Sequence, residues 1–432
     1  MKQHIETLHL ETIVGGGQAL GTLENGKKAF VWGGLPDETV KIRVTKNKSR
    51  YVEGVVEEVI DSSKQRITPK DPDSYLSTSP WQLMAFETEQ HYKAALIEEA
   101  FELHNIVLPD TIEIYTNGLE YGYRNKVEFS WYGDTSGSVE TLDIAFFRRG
   151  SKGKIPVQGT SLAHPRINEL ALKIRDVLSS KNVEARSLKT LLIRCDQTGS
   201  CVWQLYIKEN LPDVITPDEA ANLPAQGGEV IYSDPKSPAS RITDRLDSFG
   251  DVVLKDELRG TTFRYACEGF FQVNLPIYEQ SLRDMAGWLD DNPVVDFYSG
   301  VGTIGLTIGG NDATLVEIDE NAVREMKRNI KELGISAKAV LAPSEKAVDY
   351  ITSDKTIILD PPRAGLHADV IARLLETKPE RIIYLSCNPV TQARDVAMLA
   401  ETYGIRWHRG YNFFPRTPHI EHLVILDLKQ VA

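Results

Sequence analysis

Asp296-Phe297-Tyr298-Ser299-Gly300-Val301-Gly302-Thr303-Ile304-Gly305 is the stretch on which the fold turns. Val294 to Tyr298 is a short apolar run, and Gly300, Gly302 and Gly305 follow it at the spacing G-x-G-x-x-G. Glycines so placed let a backbone leaving a strand pass close to a nucleotide and enter a helix. The spacing by itself suits dinucleotide enzymes, adenosylmethionine enzymes and ordinary turns equally. Its surroundings say more. Beyond about Pro276, strand-like runs at Val294 to Tyr298, Ala313 to Ile318, Thr356 to Leu359 and Arg381 to Ser386 alternate with helical segments. That alternation predicts a parallel, doubly wound sheet. Ligands of such sheets sit beyond the carboxyl ends of the strands, so whatever follows each strand is a candidate site.

The second run ends in Val316-Glu317-Ile318-Asp319. Glu317 stands where an acid accepts hydrogen bonds from a ribose, whereas Asp319 is as well explained as a helix N-cap. The third is followed by Asp360-Pro361-Pro362-Arg363, a carboxylate fixed by two prolines at the mouth of the sheet. Dehydrogenases have no use for such a turn. Amino-group methyltransferases place an aromatic residue after a similar one to stack the target base, and Arg363 in that place disfavours attack by an exocyclic nitrogen. The fourth runs into Ser386-Cys387-Asn388-Pro389.

A lone cysteine at a strand end is most often a small buried hydrophobe. Cys387, however, should project into the crevice shared by Gly300 and Asp360, where a thiol has a chemical use. Carbon-5 of uracil is too weak a nucleophile to take a methyl group unaided, and thiolate addition at carbon-6 makes it one. A base must then remove the carbon-5 proton. The closing run Pro418-His419-Ile420-Glu421-His422-Leu423-Val424-Ile425-Leu426 offers Glu421 for that purpose, with His419 and His422 read as packing or capping groups.

A chain of 432 residues exceeds what one core supports. From Thr7 to Val59, short strands punctuated by Gly15-Gly16-Gly17 and by the hairpin signal Asn25-Gly26 predict a small OB-like barrel. Ser62 to Pro80 has linker composition, and a helix follows from about Phe86 to Leu103. Between about Tyr121 and Cys267, runs such as Val127 to Tyr132, Leu142 to Phe147, Leu188 to Cys195 and Cys201 to Ile207, with a helix at Arg166 to Ser180, predict an antiparallel α+β unit. The expected architecture is multidomain α/β: an OB-like β-barrel over 1–62, a central α+β region over 63–268, and a Rossmann-like doubly wound domain over 269–432.

The net charge, 49 basic against 61 acidic residues, is −12, which disfavours a nucleic-acid partner only on average. Lys41, Arg43, Lys46, Lys48 and Arg50 form one acid-free cluster, and Arg148, Arg149, Lys152 and Lys154 another; each reads equally as a phosphate contact or as solvated charge. Cys195, Cys201, Cys267 and Cys387 form no disulfide framework and no Cys-x-x-Cys metal spacing, so no metal is expected. Cys195 and Cys201 flank a turn and should lie on paired strands. Met1-Lys2-Gln3-His4 opens no secretory signal, and no apolar run is long enough to span a bilayer, so a cytoplasmic location, no membrane partner and a monomer are expected.

Taken together, the β-module, Phe270-Phe271-Gln272-Val273-Asn274, DFYSGVGTIG, LDPPRAG, SCNP and the closing HIE resemble the RNA uracil-5-methyltransferases, in the branch that carries an amino-terminal TRAM domain. The likeness covers nearly the whole chain. It implies methylation of a uridine in RNA with S-adenosyl-L-methionine, Cys387 as nucleophile and Glu421 as base. It implies that Gln272, Tyr298, Gly300, Thr303, Glu317 and Asp360 bind the cofactor, Thr303 at a position that varies in the family. The TRAM module tilts the expected substrate toward 23S ribosomal RNA, with the T-loop uridine of tRNA as the alternative. Arg124, in Tyr121-Gly122-Tyr123-Arg124-Asn125-Lys126, matches a family segment of underived role. One departure stands out: where many members carry iron-sulfur cysteines, this chain reads Ser77-Thr78-Ser79-Pro80-Trp81-Gln82, so no cluster is expected. Two other classes compete. A dinucleotide-dependent oxidoreductase leaves Asp360 and Cys387 unexplained, and a non-catalytic RNA-binding protein leaves Cys387 and Glu421 unexplained.

Overall fold

The computed structural model describes residues 4–137 and 140–430, so Met1–Gln3, part of the stretch read for a secretory start, lie outside it. Period-two alternation builds the first unit. In β1 (Ile5–Ile13) Leu8 and Leu10 point inward between exposed neighbours. β2 (Ala19–Thr22) and β3 (Lys28–Trp32) meet at Asn25-Gly26, where Gly26 takes φ 82°. With β4 (Thr39–Asn47) and β5 (Tyr51–Asp61) they close a barrel in the order β1-β2-β3-β5-β4. Three members of the first basic cluster are paired across β4 and β5, Lys41 with Glu58 (2.7 Å), Arg43 with Glu57 (2.6 Å) and Lys46 with Glu53 (2.6 Å). That part of the cluster is strand-surface charge already matched, in exposed pairs that water screens.

Ser62 to Pro80 is no free linker. Arg66 forks onto the buried Glu38 (2.6 and 2.7 Å), and the stretch contains the short helix α1 (Tyr75–Thr78). Its Ser and Asp side chains bond neighbouring backbone and side chains, which suits a packed turn as well as a solvated one. α2 (Phe86–Glu102) and the two-residue β6 (Ile114–Tyr115) follow.

The central sheet is built from β7 (Lys126–Asp134), β8 (Thr141–Phe147), β9 (Lys154–Pro156), β10 (Leu188–Cys195), β11 (Cys201–Ile207), β12 (Gly227–Tyr232) and β13 (Asp244–Gly250), in the order β13-β12-β11-β10-β7-β8-β9. All neighbours are antiparallel except β11 and β12, which are linked through α4 (Pro217–Asn222). α3 (Pro165–Ser180) covers the sheet with Ile167, Leu170, Ile174 and Leu178, one apolar stripe at helical spacing. Cys195 and Cys201 face each other across the β10-β11 hairpin and are joined as a disulfide, a crosslink not expected from cysteine number alone.

The last unit starts with the hairpin β14 (Val253–Leu258) and β15 (Thr261–Ala266) and with α5 (Leu275–Ala286). It continues through β16 (Val294–Phe297), α6 (Thr303–Ile308), β17 (Thr314–Glu317), α7 (Glu320–Leu333), β18 (Lys338–Leu341), β19 (Thr356–Leu359), α8 (Ala368–Thr377), β20 (Arg381–Ser386), α9 (Pro389–Leu399), β21 (Tyr403–Tyr411) and β22 (Glu421–Leu428). The sheet order is β18-β17-β16-β19-β20-β22-β21-β6. Its first five strands are parallel, as expected, and β16, β19 and most of β20 are buried on both faces. Beyond β20 the expectation fails: β22 is antiparallel to β20 and β21 to β22, so the sheet is mixed. β18 and β21 escape a sequence reading because the first is only half covered and the second carries Arg406 and Arg409. β6 adds to β21, so residues from 63–268 complete this sheet. Among the described residues no helix is long and apolar enough to cross a membrane.

A buried polar knot ties α2 to the loop between β21 and β22. Glu89 and Lys93 are fully buried and paired at 2.9 Å. Lys93 Nζ donates to Asn412 Oδ1 (2.5 Å) and the Phe414 carbonyl (3.2 Å), while Glu89 accepts from Asn412 Nδ2 (2.8 Å) and the Arg416 backbone N–H (2.9 Å). Removing one partner of a buried pair strands the other charge. Lys93→Ala should therefore cost about 3 kcal/mol, the low end of that range because Asn412 and Arg416 still serve Glu89. A lowered urea midpoint with unchanged slope checks it.

Candidate active site

The backbone after β16 turns sharply, with Tyr298, Gly300 and Gly302 at φ 64°, 57° and 92°. A β-carbon on Gly305 would lie 2.0 Å from Leu315 Cδ2, so only glycine lets α6 start this close to β17. The turn is held by acids: Asp296 Oδ2 accepts from the Gly305 N–H (2.9 Å) and Glu317 Oε2 from the Gly300 N–H (2.9 Å). Glu317 Oε1 accepts from Ile318 and Asp319 N–H (both 2.8 Å), which aims the carboxylate over the glycine turn. Asp319 caps α7 through Ala322 N–H (2.8 Å), so the two acids of that strand end divide into site and cap. The Tyr298 hydroxyl donates to Ser344 Oγ (2.9 Å), and Thr303 Oγ1 lies 2.8 Å from the Tyr278 hydroxyl.

On the other side of the crevice, β20 and β22 are antiparallel and Ser386 pairs with His422. Cys387 follows Ser386 and Glu421 precedes His422, so the two adjoin the last pair of the ladder, and Glu421 acts electrostatically on the thiol. The LDPPRAG turn is fastened to α9: the Arg363 carbonyl accepts from Asn388 Nδ2 (2.9 Å) and Thr391 Oγ1 (3.1 Å), and Asp395 Oδ2 accepts from Leu366 N–H (2.8 Å). Burial raises three acids here, Asp296, Asp360 and Glu421. Asp360 is pushed up to about 7 and Asp296 to about 8. Glu421 is held well above the carboxylate range by burial and then by Asp360, against Arg363. Burial, then Glu421 and Asp360, push the Cys387 thiol up to about 11, with Arg363 opposing. Cys387 therefore rests as the thiol at neutral pH.

The expected cofactor residues Tyr298, Gly300, Thr303, Glu317 and Asp360 surround the carboxyl ends of β16, β17 and β19, and Cys387 and Glu421 meet at β20 and β22. Tyr278, buried on α5 and within 2.8 Å of Thr303 Oγ1, has its hydroxyl pKa raised by burial and also by Asp360, Asp296 and Glu421. Gln272 comes from outside the sheet. Its carbonyl accepts from Asn125 Nδ2 (3.2 Å), and the buried Arg194 donates to the carbonyls of Gly269 (2.8 Å) and Phe271 (2.6 Å). Arg124 donates to the Lys126 carbonyl (2.9 Å), and its backbone bonds bridge residues 162 and 164. His422 is buried, Nδ1 at 2.7 Å from Gln392 Oε1 and Nε2 at 3.3 Å from His408 Nδ1, a packing role as expected. His419 instead reaches Arg363 at 2.8 Å, a contact between two motifs with no sequence signal. Asp296 and Tyr278 also went unsuspected, although an acid inside the run Val294 to Phe297 is a visible anomaly. Two surface cavities of about 500 and 520 Å³ are lined by other residues, Tyr232 and Leu246 in one, Phe101 and Ile114 in the other.

Where cluster-bearing relatives place thiolates, this chain has a polar knot. Gln82 Nε2 donates to Ser79 Oγ (2.6 Å) and Asp71 Oδ2 (3.1 Å), and Asp71 also accepts from the Ser161 hydroxyl (2.7 Å) and N–H. These hydroxyls and amide do not fit an iron-sulfur cluster, which is held by Cys thiolates. In the second basic cluster, Arg149 lies over the Trp32 ring (4.1 Å) and donates to the Leu76 carbonyl, and Lys154 donates to the Trp131 carbonyl (2.7 Å). Arg149 thus reaches from the central unit to the barrel, while Lys154 bonds within the central sheet.

Asp296 yields a pH test. The folded chain keeps a proton on it that the unfolded chain releases above about pH 4, so stability falls as pH rises toward about 8. Asp296→Asn keeps an acceptor for the Gly305 N–H and removes the titration. Its melting temperature should drop less than that of the natural protein between about pH 6 and 9, as calorimetry would read.

Residues 346–429 match the family described as tRNA (Uracil-5-)-methyltransferase, and residues 7–56 match the TRAM domain. An "uncharacterized RNA methyltransferase" of Lactiplantibacillus plantarum is 29% identical, covering 93% of this chain and 92% of that protein. Another so named, from Enterococcus faecalis, is 28% identical over 92% of each. The fold is shared with a solved structure, the Pyrococcus abyssi tRNA (uracil-54, C5)-methyltransferase in complex with S-adenosyl-L-homocysteine, at TM-score 0.79 and 22% identity over 97% of this chain and 100% of that one. The closing module is thus similar to the tRNA (uracil-5-)-methyltransferase family and the barrel to the TRAM domain, and relatives matched over nearly the whole chain are named RNA methyltransferases.

Proposed function

We propose that this chain methylates carbon-5 of a uridine in RNA through a transient bond between Cys387 and carbon-6 of the base. The observation that carries the reading is the β20-β22 register, which sets a thiol opposite a carboxyl beside Asp360. S-adenosylmethionine, when bound, supplies the methyl group as an electrophile. The Glu317 carboxylate aimed over the glycine turn fits its ribose, and Gln272, Tyr298, Gly300, Thr303 and Asp360 are the further residues that would hold it.

The chain's own part is proton and nucleophile chemistry. Cys387 loses its proton to solvent and its sulfur bonds to carbon-6, while the ring double-bond electrons move to give an enolate whose carbon-5 is nucleophilic. Once carbon-5 carries the methyl group, Glu421 as carboxylate takes the proton from that carbon. The ring double bond re-forms, the sulfur-carbon bond breaks, and the thiolate is restored. Low reactivity at rest suits this scheme, because a cysteine held as the thiol in the free protein does not attack stray electrophiles.

As substrate we propose a uridine of 23S ribosomal RNA, the TRAM barrel being the part that would meet a large folded RNA. The second reading, the T-loop uridine of tRNA, is favoured by the fold shared with a tRNA enzyme over its full length. Mapping 5-methyluridine in both RNAs from cells lacking the gene decides between them.

Cys387→Ala should abolish methyl transfer, by at least about 10³-fold, in a tritium-release assay; normal turnover would sink the covalent scheme. Glu421→Gln should add to RNA yet fail to release it, leaving a protein-RNA band on a denaturing gel. Since the reactive forms of Cys387 and Glu421 are both the deprotonated ones and both groups titrate high, transfer should speed up steadily from about pH 6 to 9.

A further inference from the structure

His419 stands two residues before Glu421, exposed at the mouth of the crevice, and its Nδ1 lies 2.8 Å from Nη2 of Arg363. A guanidinium can only donate, so the imidazole nitrogen must accept and carry no proton. Arg363 is thus gripped at both ends. Its carbonyl is held by Asn388 and Thr391, on the nucleophile's side of the crevice, and its guanidinium by the segment that leads to Glu421. One edge of the ring is open to solvent, while the chain packed around its other side and then the cations Arg363, Lys93, Arg124 and Arg149 hold its pKa down and favour the neutral form.

Neutrality matters. A carboxylate at position 419 would grip Arg363 equally well, yet would cancel the guanidinium's charge where it is needed. The groups acting on Cys387 are Glu421 and Asp360, which oppose its ionisation, and Arg363, which favours it. A neutral acceptor aims the cation and leaves its field intact.

We propose that His419 is a positioning residue which, as an uncharged acceptor, aims the Arg363 guanidinium at the crevice so that it serves as counter-cation to the Cys387 thiolate. Its consequence for turnover rests on the covalent reading above, but its chemistry can be read without RNA. Ionisation sends the thiol proton to solvent, and the resulting thiolate displaces iodide from iodoacetamide.

The experiment follows iodoacetamide alkylation of Cys387 in the full-length protein against pH, with the labelled peptide quantified by mass spectrometry. Cys267 is buried and the other two cysteines are joined, so Cys387 is the thiol within reach. His419→Ala should raise the alkylation midpoint by about one pH unit, roughly tenfold slower labelling below it. His419→Gln, which keeps a neutral acceptor, should restore most of the loss, and His419→Asp should label more slowly than His419→Ala. Arg363→Gln added to His419→Ala should change nothing further. Midpoints for the Ala and Asp variants equal to the natural protein's would overturn the proposal, and so would an Asp variant that labels as well as the Gln variant. The Gln against Asp comparison holds even if the Ala variant is poorly folded. Full methyl transfer by Cys387→Ala would instead strike the covalent reading and leave these midpoints standing.

Discussion

The antiparallel seating of β22 beside β20 is the constraint from which the site follows. Parallel strands alone would open a crevice with a glycine turn, a ribose acceptor and the Asp360 turn, but no partner for Cys387. Because β22 runs the other way, its first residue meets the last turn of β20, and the pairing of Ser386 with His422 delivers Glu421 to the thiol. That alignment depends on where the preceding loop ends. The Glu89-Lys93-Asn412 knot fixes the loop from inside the protein.

Desolvation then governs the chemistry. Asp296, Asp360 and Glu421 converge in a region where burial outweighs hydrogen bonding, and their mutual repulsion adds to it. A resting crevice of protonated groups avoids stacking several negative charges in low dielectric. Arg363 is the cation acting on both Cys387 and Glu421, which gives one side chain leverage over the ionisation of both groups.

The units are not beads on a string. Arg194 from β10 holds the backbone of the Phe270-Phe271-Gln272 segment, β6 completes the last sheet, and Arg149 seats the central sheet against the barrel. The Asp71-Gln82-Ser161 knot ties the stretch after the barrel to the central unit with neutral donors around one carboxylate. A packed polar segment and a flexible linker share the same Ser, Pro and Asp content, and for that reason composition misjudged residues 62–80.

What the sequence determined by itself was everything carried by local pattern. Alternation marked the barrel strands, continuous apolar runs marked β16, β19 and β20, and the glycine spacing with Glu317 marked the nucleotide end. The positions of Cys387 and Glu421 at strand ends were legible because each directly adjoins such a run. Tertiary structure alone decided what depends on residues distant in the chain: the reversed β21 and β22, the pairing of Cys195 with Cys201, and the matching of Lys41, Arg43 and Lys46 with acids of β5. The grip of His419 on Arg363 across 56 residues is of the same kind. Periodicity records which face a residue presents, whereas register between distant strands and the burial that shifts a proton are set by packing, and packing leaves no local trace.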